Sequence, residues 1–119
     1  MTRSAMTFAS VRAMARTLSG VQDTVSWGTP SLKVNGKMLA CMAINRSAEP
    51  DSLVVRLPIP QRDELIAADP ETYYVTPHYE PYPSLLVRLS RVHPDALKDL
   101  LEMAARGLAA SPRRRPRRT

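Results

Sequence analysis

The chain has 119 residues, 44% of them apolar, with 17 Lys and Arg against 11 Asp and Glu and a formal net charge of +6. That length fits one domain, and a segment of about 100 residues buries over roughly 60% of the surface its unfolded form exposes, so it needs neither a metal nor a disulfide to fold. A single cysteine, Cys41, excludes an intrachain disulfide framework and a four-cysteine zinc site. Basic residues from Lys33 to Arg91 break every hydrophobic stretch short of the roughly 18 apolar residues of a membrane span, so the protein reads as soluble and cytoplasmic with no membrane partner.

The positive charge is unevenly placed. Five of the 17 basic residues are Arg113, Arg114, Arg115, Arg117 and Arg118, which leaves 12 to set against all 11 acids in the rest of the chain. The pI near 10.1 therefore describes an end segment more than a folded body. With Pro112 and Pro116 breaking it, residues 111–119 read as a disordered tail beside a domain over residues 1–110. Such a tail is either a solvated end or a weak, sequence-blind contact for phosphates.

Residues 7–19 read as a helix, with Thr7 at its N-cap, Phe8, Val11, Met14, Ala15 and Leu18 on one face, and Gly20 past its end. Arg12 and Arg16 fall on the wet side. Three arginines and no acid in the first 22 residues also match a transit peptide, but the placed helix stop favours the structural reading. Residues 31–34 and 37–44 flank Asn35-Gly36, a pair that accepts the positive φ of a type I′ turn, and so form a hairpin. A longer turn leads to a third strand at 52–57. Pro60, Asp63 and Glu64 open a short helix over about 60–68, which Pro70 stops. A β segment at 72–76, a loop at 77–83 and a strand at 84–92 follow. From Pro94, Leu97, Leu100, Leu101, Ala104 and Leu108 make the apolar stripe of a final helix. The order αβββαββα predicts a single α+β domain, an antiparallel sheet carrying the terminal helices on one face.

Several segments, taken in order, resemble the MmcQ/YjbR family of small bacterial proteins. They are Gly20-Val21, Ser26-Trp27-Gly28-Thr29-Pro30, Lys33-Val34, Gly36-Lys37-Met38-Leu39-Ala40, Leu65-Ile66-Ala67-Ala68-Asp69-Pro70, Tyr73-Tyr74-Val75-Thr76-Pro77-His78-Tyr79 and Leu86-Val87-Arg88-Leu89, within residues 7–108. Ile59 before Pro60 departs from the polar cap such proteins tend to show. The resemblance implies a frataxin-like, CyaY-like double-wing architecture, and members are commonly labelled DNA-binding on that shape; it carries no catalytic residues. Iron binding, which the frataxin likeness suggests, needs a ridge of carboxylates, and the first helix has none.

Two binding surfaces follow. Lys33 and Lys37, on either side of the two-residue turn, are expected near one another on a protruding basic hairpin, a DNA wing or equally a lysine-protected strand edge. Arg113, Arg114 and Arg115 would add phosphate contacts. Alternatively, Trp27, His78, Tyr79 and Tyr82 line a pocket for a small molecule or a protein partner, or else simply close the side of the core. Cys41, between Ala40 and Met42, packs as a small hydrophobe, and His93 before Pro94 occupies a capping position. Two histidines and one cysteine, widely spaced, make no metal site, the four glycines form no phosphate loop, and nothing asks for a cofactor. The expectation is a non-catalytic binding protein, with nucleic acid leading and a small molecule or protein as the alternative.

Overall fold

The computed structural model describes residues 6–18, 20–26 and 28–110. Its elements run α1 (Phe8–Ala15), β1 (Val21–Ser26), β2 (Thr29–Val34), β3 (Lys37–Met42), β4 (Ser52–Arg56), α2 (Ile59–Ala68), β5 (Tyr73–Tyr74), β6 (Ser84–Arg88) and α3 (Pro94–Ala110). The strands form one sheet in the order β1-β2-β3-β4-β6-β5, every neighbouring pair antiparallel. This is the α+β architecture that the hairpin signals predict, with one strand more: β1 pairs with β2 along its length. Its sequence, Val-Gln-Asp-Thr-Val-Ser, hides the strand, because Asp23 stands where an inward apolar residue is expected. Asp23 instead accepts from Arg12 Nε and Arg16 Nε, each at 3.1 Å, so the arginines read as the wet side of α1 tie the helix to the edge strand.

Local chemistry explains the boundaries. The Thr7 carbonyl accepts from the Ser10 and Val11 amides at 3.0 and 3.1 Å, and the Ser10 hydroxyl receives the Thr7 amide at 3.4 Å. Asn35 and Gly36 have φ of 58° and 76°, the type I′ geometry that a two-residue hairpin requires. At the start of α3, His93 caps with both its atoms: Nδ1 receives the Asp95 amide and its carbonyl the Leu97 amide. The strand expected at 84–92 stops at Arg88, because the Arg91 and Val92 amides turn back onto the Arg88 carbonyl and carry Val92 into the core.

All three helices cover one face. Leu97, Leu101 and Ala104 of α3 and Val11 and Ala15 of α1 meet Leu32, Val34, Leu53, Val55, Leu85 and Val87 of the strands in one core, with Leu65 and Ile66 of α2 packed against its edge. Strand alternation sends the intervening residues to the opposite, helix-free face. We expect Leu101→Ala, at a fully buried position, to lower stability by about 2–5 kcal/mol. Gly36→Ala, which forces a Cβ into positive φ, costs about 1 kcal/mol. Urea unfolding midpoints measure both.

Candidate functional site

On the helix-free face, Thr29, Ser31 and Lys33 of β2, Met38 and Cys41 of β3, Val54 of β4 and Ser84 of β6 line a cleft of about 660 Å³. Ile44, Asn45, His78, Tyr79 and Tyr82 bound it from the loops. The floor depends on an irregularity in the β2–β3 ladder. Leu32 pairs with Ala40 but Lys33 pairs with Met38, so Leu39 is an extra residue. Leu39 and Ala40 are both fully buried in the helix-side core. The parity of β3 therefore changes midway, and Met38 and Cys41, three residues apart, come to share the open face.

The loop that walls the cleft is fixed from below by a buried cation. The Arg62 side chain in α2 is only 4% exposed. Its Nη1 donates to the carbonyls of Glu80 and Tyr82 at 3.1 and 3.0 Å, and its Nε donates to Asp63 at 3.0 Å. Within the loop, the Tyr79 and Glu80 amides return to the Thr76 carbonyl, and the His78 and Tyr79 rings meet edge to face at 4.8 Å. Ser47 Oγ and Thr76 Oγ1 share a hydrogen bond of 2.8 Å, joining this loop to the turn before β4. That turn is held in its own right. Arg88 grips Glu49 with two bonds of 2.8 and 2.7 Å while its guanidinium lies 4.1 Å from the Tyr74 ring centroid, and the Tyr74 hydroxyl receives the Glu49 amide.

The cleft is apolar at its base and cationic at one side. None of the described residues lining it is acidic, and Lys33 is the one Lys or Arg among them. Burial pushes the Cys41 thiol above its ordinary range, so the protonated form prevails at neutral pH. Burial likewise raises the Tyr79 hydroxyl, against a backbone hydrogen bond at Asn45 that lowers it. Both are poor nucleophiles in this state. Among the described residues no group of three or more His, Cys, Asp or Glu is placed to hold a metal ion.

Of the residues expected to act, His78, Tyr79, Tyr82 and Lys33 meet around this one cleft. Lys37 does not join them. It pairs with the core residue Val34, so it shares the helix-covered face and lines a second cleft, of about 370 Å³, with Arg56, Gln61 and Met103. The expected pairing of Lys33 with Lys37 on one surface is thus corrected: across a two-residue turn 34 faces 37 and 33 faces 38, and alternation sends the two lysines to opposite faces. Trp27, Arg113, Arg114 and Arg115 lie outside the described residues. Met38, Val54, Ile44 and Ser84 join the lining, and Arg62 anchors the loop, without having been expected to act. Alternation would have found Val54 and Ser84, but no sequence signal marks Arg62 or the extra residue at Leu39.

Replacing Arg62 by Met leaves two loop carbonyls without their donor. We expect a loss of about 1–3 kcal/mol, with faster amide exchange in residues 76–83, read by hydrogen-exchange mass spectrometry. Because the Cys41 thiolate is disfavoured by burial, alkylation by iodoacetamide at pH 8 should be slower than for a free cysteine and should accelerate as pH rises; a rate equal to free cysteine would contradict the burial. Glu49 is held below the usual carboxylate range chiefly by its hydrogen bonds from Arg88. Its contribution to stability is present at neutral pH and lost as pH falls through that lowered value, so Glu49→Gln should flatten the acid limb of a stability-against-pH curve.

The YjbR family model matches residues 16–104. Among solved structures, the crystal structure of protein DR2400 of Deinococcus radiodurans, with the family-model domain DUF419, superposes with a TM-score of 0.66 at 21% identity, over 87% of this chain and 79% of that one. No curated protein matches the chain. Among the described residues no helix is long and apolar enough to cross a membrane. The family model spans the whole sheet, α2 and most of α3, well over half of the chain, and the chain belongs to the YjbR family.

Proposed function

We propose that this YjbR-family protein is a non-catalytic binding protein whose ligand is a small molecule held in the cleft on the helix-free face of the sheet. The observation that carries the reading is the built character of that cleft. Its volume of about 660 Å³ falls in the range of small-molecule sites, it is walled by a loop anchored through buried Arg62, and it gathers His78, Tyr79 and Tyr82 over an apolar floor. A protonated Cys41, and a His78 with no acidic residue among the described residues lining the cleft, supply no nucleophile–base pair there, which supports binding over catalysis.

The competing reading is DNA binding by the basic hairpin. Its support is the net charge of +6 and the two lysines beside the turn. Opposite-facing lysines weaken it, since one phosphate backbone meets a single face of a hairpin. A third reading, a surface for a protein partner, would use the same cleft.

A thermal-shift screen of small organic molecules on the full chain tests the proposal. A ligand held at 100 times its Kd stabilises by about 2.7 kcal/mol, which for a domain of this size raises Tm by about 10 °C. Met38→Trp, which fills the floor, should fold and lose that shift. The opposing result is an absence of any small-molecule shift, together with salt-steep binding of labelled duplex that Lys33→Ala with Lys37→Ala reduces by one to two units of slope.

A further inference from the structure

We propose that the cleft selects an organic monoanion, a ring-sized apolar body carrying one acidic group, and that Lys33 is the residue that reads the charge. This rests on the reading of the cleft as a ligand site and adds the class of ligand.

Three observations converge. The base carries Met38 and Val54, with Ile44 at the loop rim, side chains that favour an uncharged, polarisable body. The walls offer the His78 and Tyr79 rings, set edge to face, beside Tyr82, so a flat body finds ring surface at the loop side. At the β2 side stands Lys33, half-buried and lining the cleft, paired across the ladder with Met38. The arginines that hold the fold are matched: Arg12 and Arg16 with Asp23, Arg62 with Asp63, and Arg88 with Glu49. Lys33 has no carboxylate partner among the described residues, and none of the described residues lining the cleft is acidic. A cation beside an apolar floor gains more from an incoming anion than a lysine surrounded by water does. A second negative charge on the ligand would find no second Lys or Arg among the described residues lining the cleft. A neutral ligand would gain nothing from the Lys33 charge.

The test uses two dyes with the same ring body. 8-Anilinonaphthalene-1-sulfonate carries one sulfonate; N-phenyl-1-naphthylamine has none. Fluorescence titration of the full chain should give tighter binding of the sulfonate dye by about tenfold, the scale of one hydrogen bond to a charged group, and that advantage should shrink as salt is raised. Lys33→Met should remove the advantage and leave the neutral dye within about twofold of its affinity, with an unchanged circular dichroism spectrum. Met38→Trp should weaken both dyes. Equal affinities for the two dyes, or an equal loss of both in Lys33→Met, would overturn the anion selectivity while leaving the cleft as a ligand site. Binding of neither dye, or undiminished binding in Met38→Trp, would overturn the ligand-site reading itself.

Discussion

A six-stranded antiparallel sheet whose helices all pack on one face leaves its second face to be finished by something other than helices. Here loops finish it, and the rest of the molecule follows from how they are held. The helix side closes mainly by hydrophobic burial: Leu97 and Leu101 against Leu32, Leu53, Leu85 and Val87. The open side cannot close that way, because alternation gives it Ser31, Lys33, Ser84 and Arg88 among its apolar residues. Polar fasteners do the work instead. Arg62 reaches the carbonyls of Glu80 and Tyr82, and Arg88 with Tyr74 secures Glu49. The loops so anchored stand over the strands and enclose a cleft between them.

Arg62 is the less replaceable fastener. A guanidinium this buried is tolerated only because its donors meet carbonyls and a carboxylate, and every buried side-chain nitrogen and oxygen among the described residues has a partner. The same residue links α2, which belongs to the helix side, to the wall of the cleft. Loosening of the core at Leu65 or Ile66 would therefore be felt at Tyr79 and Tyr82, which couples the stability of the fold to the shape of the site.

Much of the architecture was legible in the sequence because it is written in short-range chemistry. Asn35-Gly36 announces its turn, Pro60 and Pro94 open helices, and the leucine stripe from Leu97 to Leu108 fixes the face that α3 buries. What escaped depends on distant partners. β1 is marked by Asp23, whose inward position makes sense only once Arg12 and Arg16 have arrived from α1. The shift of parity at Leu39 cannot be read from β3 alone, since the residues 37–42 look equally regular with or without it. For the site, the tyrosine loop was visible from its rings and prolines and Lys33 from its charge, while the partnership between them had to await the pairing of β3, β4 and β6. The two hairpin lysines were misplaced through counting along the chain where counting across the turn was needed.

The methionines report on the two faces directly. Met38 lines the open cleft, whereas Met103 lines the one beneath α3 with Lys37 and Arg56. Methyl-labelled NMR during titration with 8-anilinonaphthalene-1-sulfonate therefore tells where an organic anion goes. The Met38 methyl signal should move in a saturable way while Met103 stays in place. Movement of Met103 with Met38 unmoved would contradict a ligand site on the open face, and would transfer the binding surface to the cationic cleft on the helix side.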